Sequence, residues 1–393
     1  MIEAQRRRAM ATILLTVVLD LVGFGLVIPL LPFYVEGFGA TPEQVTQLMA
    51  GFSLAQFVFA PIWGQLSDRI GRRPVLVASI GLTAVFLALF ASAGSLGMLL
   101  AFRVLHGVAT ANISTAQACM ADLTTAENRA MGMGLIGAAF GVGFSLGPWI
   151  GGELAVYGLS TPIWVAAALS ALNFVLTWFL LPETRKPGAS AAHARSINPA
   201  AFVRVAQHPI VGPAVILTFV MTAAFALMES TFGLFAADSY GLGPAALGRM
   251  FGVAGLTGII VQGGLIRPLA KRFGEAPLVM VGIALLAVGL FLLPLSPPPY
   301  WMGATFIVIS LGQSLTTPNL YALISRSASA DEQGFVLGTN QSMGSLARAT
   351  GPALGGLLYT GVSHASPYQA SAAVLVGGFV LARVALGRLK TAA

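Results

Sequence analysis

Long apolar runs separated by short polar segments dominate this chain of 393 residues. A helix needs about 20 consecutive apolar residues to cross the hydrocarbon core of a bilayer, and these runs are of about that length. The predicted helical spans are 10–33, 46–66, 74–93, 98–121, 131–157, 162–181, 211–236, 245–269, 277–295, 300–323, 334–360 and 366–388. The pattern therefore predicts an all-α integral membrane protein with twelve transmembrane helices.

Glycine and proline pairs repeat along the chain at a nearly constant offset. Gly147-Pro148 recurs 204 residues later as Gly351-Pro352, and Gly71 recurs 203 residues later as Gly274. Two six-helix halves related by an internal repeat are common among secondary transporters. We expect three parts, which are an N-terminal six-helix bundle (1–182), a cytoplasmic linker (183–210) and a C-terminal six-helix bundle (211–393).

The composition excludes a soluble globular domain, since 56% of the residues are hydrophobic, 9% are charged and the mean hydropathy is +0.83. A net charge of +7 could indicate a nucleic-acid partner, but the Lys and Arg residues are dispersed over short loops. Eighteen of the 21 lie at the termini or in even-numbered connections; the other three are Arg103, Arg249 and Arg348. The positive-inside rule then predicts a multi-pass protein of the cytoplasmic (inner) membrane with both termini cytoplasmic. The bilayer is its expected partner, and nucleic acid is not.

Several kinds of chemistry have no support in the sequence. Cys119 is the only cysteine, so an intramolecular disulfide is excluded, and we expect this residue to fill space in the core. The Arg6 to Arg8 cluster precedes an apolar run that is too long for a signal peptide. Motifs for phosphate binding, metal ligation and serine nucleophiles are missing, so we expect no enzyme activity, no cofactor and no metal.

The stretch 64–75 is a charged segment between two apolar runs. Its glycines and charged residues are Gly64, Asp68, Arg69, Gly71, Arg72 and Arg73. The glycines indicate a tight turn. The arginines are compatible with a simple positive-inside anchor, but an acid does not help orientation, whereas it is favourable near a helix N-terminus. We expect Asp68 to act in a conformational switch on the cytoplasmic side, in a charge network with Arg72, Arg73, Asp122 and Arg129.

Asp20 and Arg103 place opposite charges inside the first and fourth predicted spans. A charged acid at the bilayer centre costs at least about 2.5 kcal/mol, so such residues usually mark ion or proton paths. Asp20 is the candidate proton carrier and Arg103 the cation that tunes it. The alternative is a permanent structural pair. His106 lies one turn from Arg103 and could join a proton relay, although a single His on a helix is more often simply hydrogen-bonded.

Glu229 lies in the seventh span between Phe225 and Phe232. An acid flanked by aromatic rings suits a lipophilic cation through charge and cation–π attraction. The alternative is that Glu229 pairs with Arg348 or with a serine. Further candidates for a substrate site are aromatic, basic or neutral polar residues inside predicted spans, namely Phe24, Gln56, Asn112, Gln117, Gln262, Gln313, Asn319, Asn340, Gln341 and Arg348.

The fifth span carries glycines at every fourth position. A proline follows the second of these glycines, and another glycine follows the third. They are Gly143, Gly147, Pro148, Gly151 and Gly152. Such a stripe permits close approach of a neighbouring backbone, and the proline bends the helix. We expect a tight seam between the two halves.

These motifs resemble the major facilitator superfamily. The stretch 64–75 resembles its signature loop, and Arg103 with Gly107 fits an arginine motif that the family links to proton transfer. The glycine–proline pattern 143–152 resembles the antiporter motif of twelve-helix drug:proton exporters, and residues 172–174 and 180–183 are similar to tetracycline exporters. The resemblance implies the major facilitator fold, in which two six-helix bundles are related by a pseudo-twofold repeat.

The hypothesis is a secondary active transporter that exports small amphiphilic or drug-like compounds by alternating access, in exchange for protons. Such multidrug efflux would confer antibiotic resistance. We expect a monomer whose partners are protons, a small-molecule substrate and lipid. The alternatives are an exporter of a lipid, siderophore or metabolite, a proton symporter, or a membrane sensor that transports nothing.

Overall fold

The computed structural model describes residues 3–110, 112–124, 129–184, 205–298, 300–327 and 333–387, and within these ranges it contains helices and no strand. The helices up to residue 180 are α1 Glu3–Val27, α2 Leu31–Glu36, α3 Pro42–Ile70, α4 Arg72–Ala91, α5 Leu96–Ala109, α6 Asn112–Leu123, α7 Arg129–Leu154 and α8 Thr161–Leu180. Most of the predicted linker, residues 185–204, lies outside the described part.

The later helices are α9 Val211–Tyr240, α10 Pro244–Ile260, α11 Ile266–Phe273, α12 Glu275–Leu292, α13 Tyr300–Ser327, α14 Gln333–Gly361 and α15 Ser366–Gly387. A 3₁₀ turn, Ile28–Leu30, joins α1 to α2, and a π-helical turn, Val261–Leu265, joins α10 to α11. Eight helical segments of the described chain are long and apolar enough to cross a membrane. The predicted all-α membrane class is confirmed.

The fourth predicted span is not one continuous helix. Thr110 adopts an extended conformation after α5, and its side chain and backbone N–H both donate to the carbonyl of His106. Polar and β-branched residues that follow compete with helical hydrogen bonding, which favours a break. Trp63 donates to Val108 O at 2.6 Å and Ser79 donates to Ala109 O at 2.7 Å. Side chains thus satisfy two carbonyls that the break leaves free.

The charged segment 64–75 is also more helical than predicted. Helix α3 continues to Ile70 and α4 begins at Arg72, so Gly71 alone makes the turn, with φ at 110°. This backbone conformation strongly favours glycine. Gly64 lies inside α3, so the expectation that it forms part of the turn is wrong.

The described chain forms two compact units. Unit 1 comprises Met1–Thr41, Gly51–Ala194 and Leu242–Gly252, and unit 2 comprises Pro42–Ala50, Arg195–Gly241 and Val253–Ala393. The first turns of α3 therefore group with unit 2, and the first turns of α10 group with unit 1.

Glycines of α7 bring it close to α1 within unit 1. A Cβ on Gly147 would lie 2.7 Å from Gly25 Cα, and Cβ atoms on Gly143 and Gly151 would meet Leu21 and Leu26 of α1. Three glycines of the stripe therefore pack inside unit 1, whereas we expected them to form a seam between the halves. Gly152 faces another direction and contacts Gly248 of α10.

The equivalent glycines of α14 make the equivalent packing within unit 2. A Cβ on Gly351 would lie 2.8 Å from Ala226 Cβ of α9, and a Cβ on Gly355 would lie 3.1 Å from Ser230 Oγ. Gly356, the repeat of Gly152, contacts Thr46 at the start of α3. The repeat in the sequence therefore preserves the close approach between two pairs of helices.

We predict that Gly147→Ala destabilises the protein, because the added methyl group must push α1 and α7 apart. Overpacking of this kind costs about 1–3 kcal/mol. Thermal unfolding in detergent measures the change. Gly141→Ala is the matched control, since a Cβ at Gly141 of the same helix meets nothing within 4 Å. Equal melting temperatures for the two variants would contradict the packing role of Gly147.

Candidate functional site

Arg103 lies in α5 with only 2% of its surface exposed. Its guanidinium carbon is 4.4 Å from the ring centroid of Phe52 and 6.0 Å from that of Phe90, and its Nε has no hydrogen-bond partner. Arginine remains charged inside proteins, so the aromatic faces provide part of the stabilisation that water would otherwise give. Sequence reasoning found Arg103 but missed Phe52, because only the tertiary structure shows which ring lies under the guanidinium.

A chain of aromatic rings connects Arg103 to α1. The ring of Phe52 lies 5.8 Å from that of Phe24, and Phe24 lies 6.1 Å from Phe144. His106 is buried, with its ring 5.1 Å from Phe52. Phe24 and His106 therefore both pack on Phe52, the ring that lies beside the buried cation of Arg103.

Asp20 is half-buried on α1, one helical turn before Phe24. One turn earlier, Thr16 and Thr177 share a 3.0 Å hydrogen bond, and Asn173 donates to Thr16 O at 3.2 Å. These buried side chains fix α1 against α8. The structure thus places Asp20 between a fixed polar contact and the aromatic chain, and its pairing with Arg103 remains a prediction.

Arg72 is the centre of a charge cluster where α3, α4 and α6 meet. Its guanidinium donates to Asp68 at 2.8 Å, to Asp122 at 3.1 Å and to Ser67 Oγ at 2.7 Å. The structure therefore brings together three members of the predicted network. Arg73 instead donates to Trp178 O at 2.6 Å, Arg69 is exposed, and the side chain of Arg129 lies outside the described part.

Glu183 is a member of this cluster that sequence reasoning did not assign. Its carboxylate accepts from the backbone N–H of Arg72 at 3.0 Å and from that of Arg73 at 3.2 Å. These are the first N–H groups of α4, and a carboxylate there is favoured by both hydrogen bonding and the helix dipole. A Cβ at Gly71 would collide with the same carboxylate. The sequence signal for Glu183 was an acidic residue directly after Pro182, in a stretch that is similar to tetracycline exporters.

Polar residues of unit 2 collect on α9, α13 and α14. Glu229 and Arg348 are half-buried and interact electrostatically, and Arg348 also interacts with Tyr321. The described contacts of Glu229 include no hydrogen bond and no ion pair at contact distance. Arg348 donates one long hydrogen bond, 3.4 Å, to Ser345. The two charges are therefore neighbours without forming a direct pair.

The remaining candidates differ in accessibility. Phe232 has no exposed surface and packs 4.6 Å from Phe306, so it belongs to the packing of unit 2 and not to a surface open to a ligand. Asn319 and Asn340 are also buried. Candidates that are half-buried are Gln56, Gln117, Phe225, Gln262, Gln313 and Gln341. The side chain of Asn112 lies outside the described part.

Arg249 departs from the predicted positive-inside pattern and has a structural partner. Its Nε donates to Glu153 Oε1 at 2.8 Å and its Nη2 to Oε2 at 3.4 Å. Both side chains are largely exposed, so the pair contributes little to stability. It lies where the start of α10 meets α7.

The model of the Major Facilitator Superfamily matches residues 13–267 and 264–392. The tetracycline resistance protein, class C, of Escherichia coli is 33% identical over 389 residues, covering 98% of this chain and 97% of that protein. Multidrug resistance protein 2 of Bacillus subtilis (strain 168) is 27% identical, covering 92% and 91%.

The crystal structure of the human organic anion transporter MFSD10 resembles this fold with a TM-score of 0.75 at 26% identity, covering 96% of this chain and 99% of that one. A bacterial homologue of the human lysosomal transporter Spinster has a TM-score of 0.72 at 15% identity, covering 98% and 96%, and supports the fold alone.

We predict energetic coupling between Phe52 and Arg103, because a desolvated cation–π contact contributes about 2 kcal/mol. Phe52→Leu should destabilise the native protein by more than it destabilises an Arg103→Met background. A double-mutant cycle of thermal unfolding measures the difference. Phe52→Tyr, which keeps the ring, is the matched control. Additive effects of Phe52→Leu and Arg103→Met would exclude the contact as a source of stability.

We predict that Glu183→Ala lowers the free energy of unfolding by about 0.5–2 kcal/mol, the usual cost of losing a helix N-cap. Thermal unfolding provides the measurement. Glu43→Ala, at the start of α3, serves as the control, since no described backbone N–H donates to that side chain. A Glu183→Ala protein as stable as the control variant would mean that the cap is energetically unimportant.

Proposed function

Because the chain belongs to the major facilitator superfamily, we propose that it exports small amphiphilic, drug-like compounds in exchange for protons by alternating access. Its family makes it a multi-pass membrane transporter and not an enzyme. The proposal assigns the proton to Asp20, the tuning cation to Arg103 and the location to the cytoplasmic (inner) membrane, with both termini cytoplasmic.

The observation that carries this proposal is the buried environment of Arg103. A permanent positive charge lies among Phe52, Phe90 and His106, and one of its N–H groups has no partner. An intramembrane cation of this kind is favourable only when an anion or a polar surface is near. Asp20 lies on the same face of α1 as Phe24, four residues away. The ring of Phe24 contacts that of Phe52.

Protonation of Asp20 would change the electrostatic balance of this region. In this proposal Arg103 lies near enough to stabilise the charged form of Asp20, whereas apolar surroundings favour the protonated form. A small change in local structure could therefore load or release the proton. Each charge that crosses 100 mV supplies about 2.3 kcal/mol, enough for roughly fifty-fold accumulation of substrate.

The named relatives support export of drug-like cargo. The tetracycline resistance and multidrug resistance proteins cover more than nine-tenths of this chain, so the likeness extends over both units. The glycines of α7 that resemble the antiporter motif make close backbone contacts with α1, the helix that carries Asp20. We infer that this packing holds Asp20 at a fixed depth.

A second candidate is the transport of organic anions. The human relative of solved structure is named an organic anion transporter, and this chain carries two intramembrane arginines, Arg103 and Arg348. Cations inside a membrane protein attract anionic groups. Transport of a lipid, siderophore or metabolite, or symport, falls within the same family and would be distinguished by substrate and by the direction of proton movement.

We predict that Asp20→Asn abolishes substrate-driven proton movement, because the amide cannot carry the transported proton. The purified protein is placed in sealed proteoliposomes containing a pH dye and is exposed to tetracycline and to a panel of lipophilic cations and anions. We expect a proton signal from at least one compound with the native protein and none with the variant.

The control is Glu43→Gln, which removes an acid at the start of α3 and should keep the native signal. Both variants must elute as single species at the native position in size-exclusion chromatography. Full proton movement in the Asp20→Asn protein would overturn the assigned role of Asp20.

A further inference from the structure

Three helices of unit 2 each carry a stripe of half-buried residues at helical spacing. We call these residues the polar strip. They are Thr222, Phe225 and Glu229 on α9, Gln313, Thr317 and Tyr321 on α13, and Gln341, Ser345 and Arg348 on α14. Side chains three to four residues apart lie on the same face of a helix. Polar residues concentrated on one face of a membrane helix point to the protein interior and not to lipid.

Contacts join the stripes of α13 and α14 into one surface. Tyr321 donates to Gln341 Oε1 at 3.1 Å, and Arg348 interacts electrostatically with Tyr321 and donates to Ser345. Gln313 Oε1 is buried and has no hydrogen-bond partner. A buried acceptor without a donor is unfavourable, so this surface is incomplete as a structural network.

The two charges of the polar strip lie at different depths. Helices α9 and α14 run parallel, because Gly351 packs against residues 223–227 and the later Gly355 packs against residues 227–231. Glu229 therefore lies at the level of Gly355. The side chain of Arg348 extends toward Gly344, and its Nη1 would lie 3.9 Å from a Cβ added to Gly344.

Helix geometry gives the distance between these two levels. The step from Gly344 to Gly355 corresponds to roughly 16 Å along α14, at about 1.5 Å per residue. The side chain of Glu229 leans toward the N-terminus of α9, which is also the direction of the Gly344 level, because side chains on a helix tilt that way. The tilt shortens the separation of the two charges along the helix axes to on the order of 10 Å.

This separation leaves both charges without direct compensation. Arginine has five N–H donors, and Arg348 uses one in a long hydrogen bond to Ser345. Glu229 has no hydrogen bond among the described residues. Half-buried charges keep only part of their hydration, so each is stabilised further by an opposite charge at contact distance. A single ligand neutralises both if it carries an anion and a cation at a matching distance.

We propose that the polar strip binds a zwitterionic amphiphile, with the anionic group at Arg348 and Tyr321 and the cationic group at Glu229. This inference rests on the export function proposed above and specifies its substrate class. The ring of Phe225 lies one turn from Glu229 on the same face and contacts the apolar body between the charges. Glu229 is thus one end of a bipolar site, whereas the sequence indicated a site for a lipophilic cation.

A matched set of small ligands tests the charge requirement. The first probe is 8-aminooctanoate, whose two charges are on the order of 10 Å apart and so match the site. Octanoate and octylamine each keep one of these charges. In 4-aminobutyrate both charges are present but too close together. Binding to the purified full-length protein in detergent is measured by isothermal titration calorimetry. We expect 8-aminooctanoate to bind at least tenfold more tightly than each of the other three, equivalent to about 1.4 kcal/mol.

Single substitutions test the assignment of each end. Arg348→Gln should weaken 8-aminooctanoate at least tenfold and leave octylamine binding unchanged, whereas Glu229→Gln should weaken 8-aminooctanoate and leave octanoate binding unchanged. Arg348→Lys keeps the charge and should restore part of the affinity. The matched controls are Arg326→Gln and Glu275→Gln, which remove a surface ion pair of unit 2 and should not change binding.

Equal affinity for 8-aminooctanoate and octylamine would overturn the proposal in favour of a cation site, and equal affinity for 8-aminooctanoate and octanoate would favour an anion site. Equal weakening by the Arg326→Gln control would also overturn it. If Arg348→Gln or Glu229→Gln elutes as aggregate, Arg348→Met or Glu229→Leu replaces it, and the same loss of at least tenfold in 8-aminooctanoate affinity is expected because the charge is again removed.

The binding assay is independent of proton transport. Selective binding of 8-aminooctanoate without any proton signal in proteoliposomes would support the bipolar site and refute antiport. Proton movement driven by panel compounds, without preference for the zwitterion in calorimetry, would support antiport and refute the bipolar site.

Discussion

Polar groups inside hydrocarbon must find their partners within the protein, and this requirement governs how the whole chain is arranged. Backbone helices satisfy most of these groups, so irregularities are informative. At Thr110 the chain leaves the helix, and the carbonyls of Val108 and Ala109 receive hydrogen bonds from Trp63 and Ser79. The break is thus supported by two neighbouring helices. It lies one turn after His106, next to the region that holds Arg103.

The same requirement explains how charges are placed in each unit. In unit 1, Arg103 lies against aromatic rings, and the cluster around Arg72 pairs its charges at contact distance. In unit 2, Glu229 and Arg348 interact over a longer distance. A satisfied cluster is suited to holding helices in position, whereas incompletely compensated charges are suited to binding a proton or a ligand. The proposed functions follow this difference.

The internal repeat shows which features serve packing and which serve function. Gly147 and Gly351 occupy equivalent positions and make equivalent close contacts with α1 and α9. The candidate functional charges Arg348 and Arg103 are not repeated, since at the offset of 204 they correspond to Phe144 and Ile307. Close helix packing requires the same small residues in both units. Binding requires different chemistry in each.

The order of residues was enough to predict the all-α membrane class, the approximate spans and the family, because long apolar runs and glycine–proline spacing are local patterns that hydrocarbon thickness and close packing impose. It also located Asp20, Arg103, Glu229 and Arg348, since a charge inside an apolar run is visible without a fold. The partners of these groups emerged only from the folded chain. In the folded chain Phe52 packs against the guanidinium of Arg103, and Glu183 accepts hydrogen bonds from the first N–H groups of α4. The side chain of Arg348 extends away from Glu229. These contacts join residues distant in the chain, and no local pattern specifies which side chains meet in space.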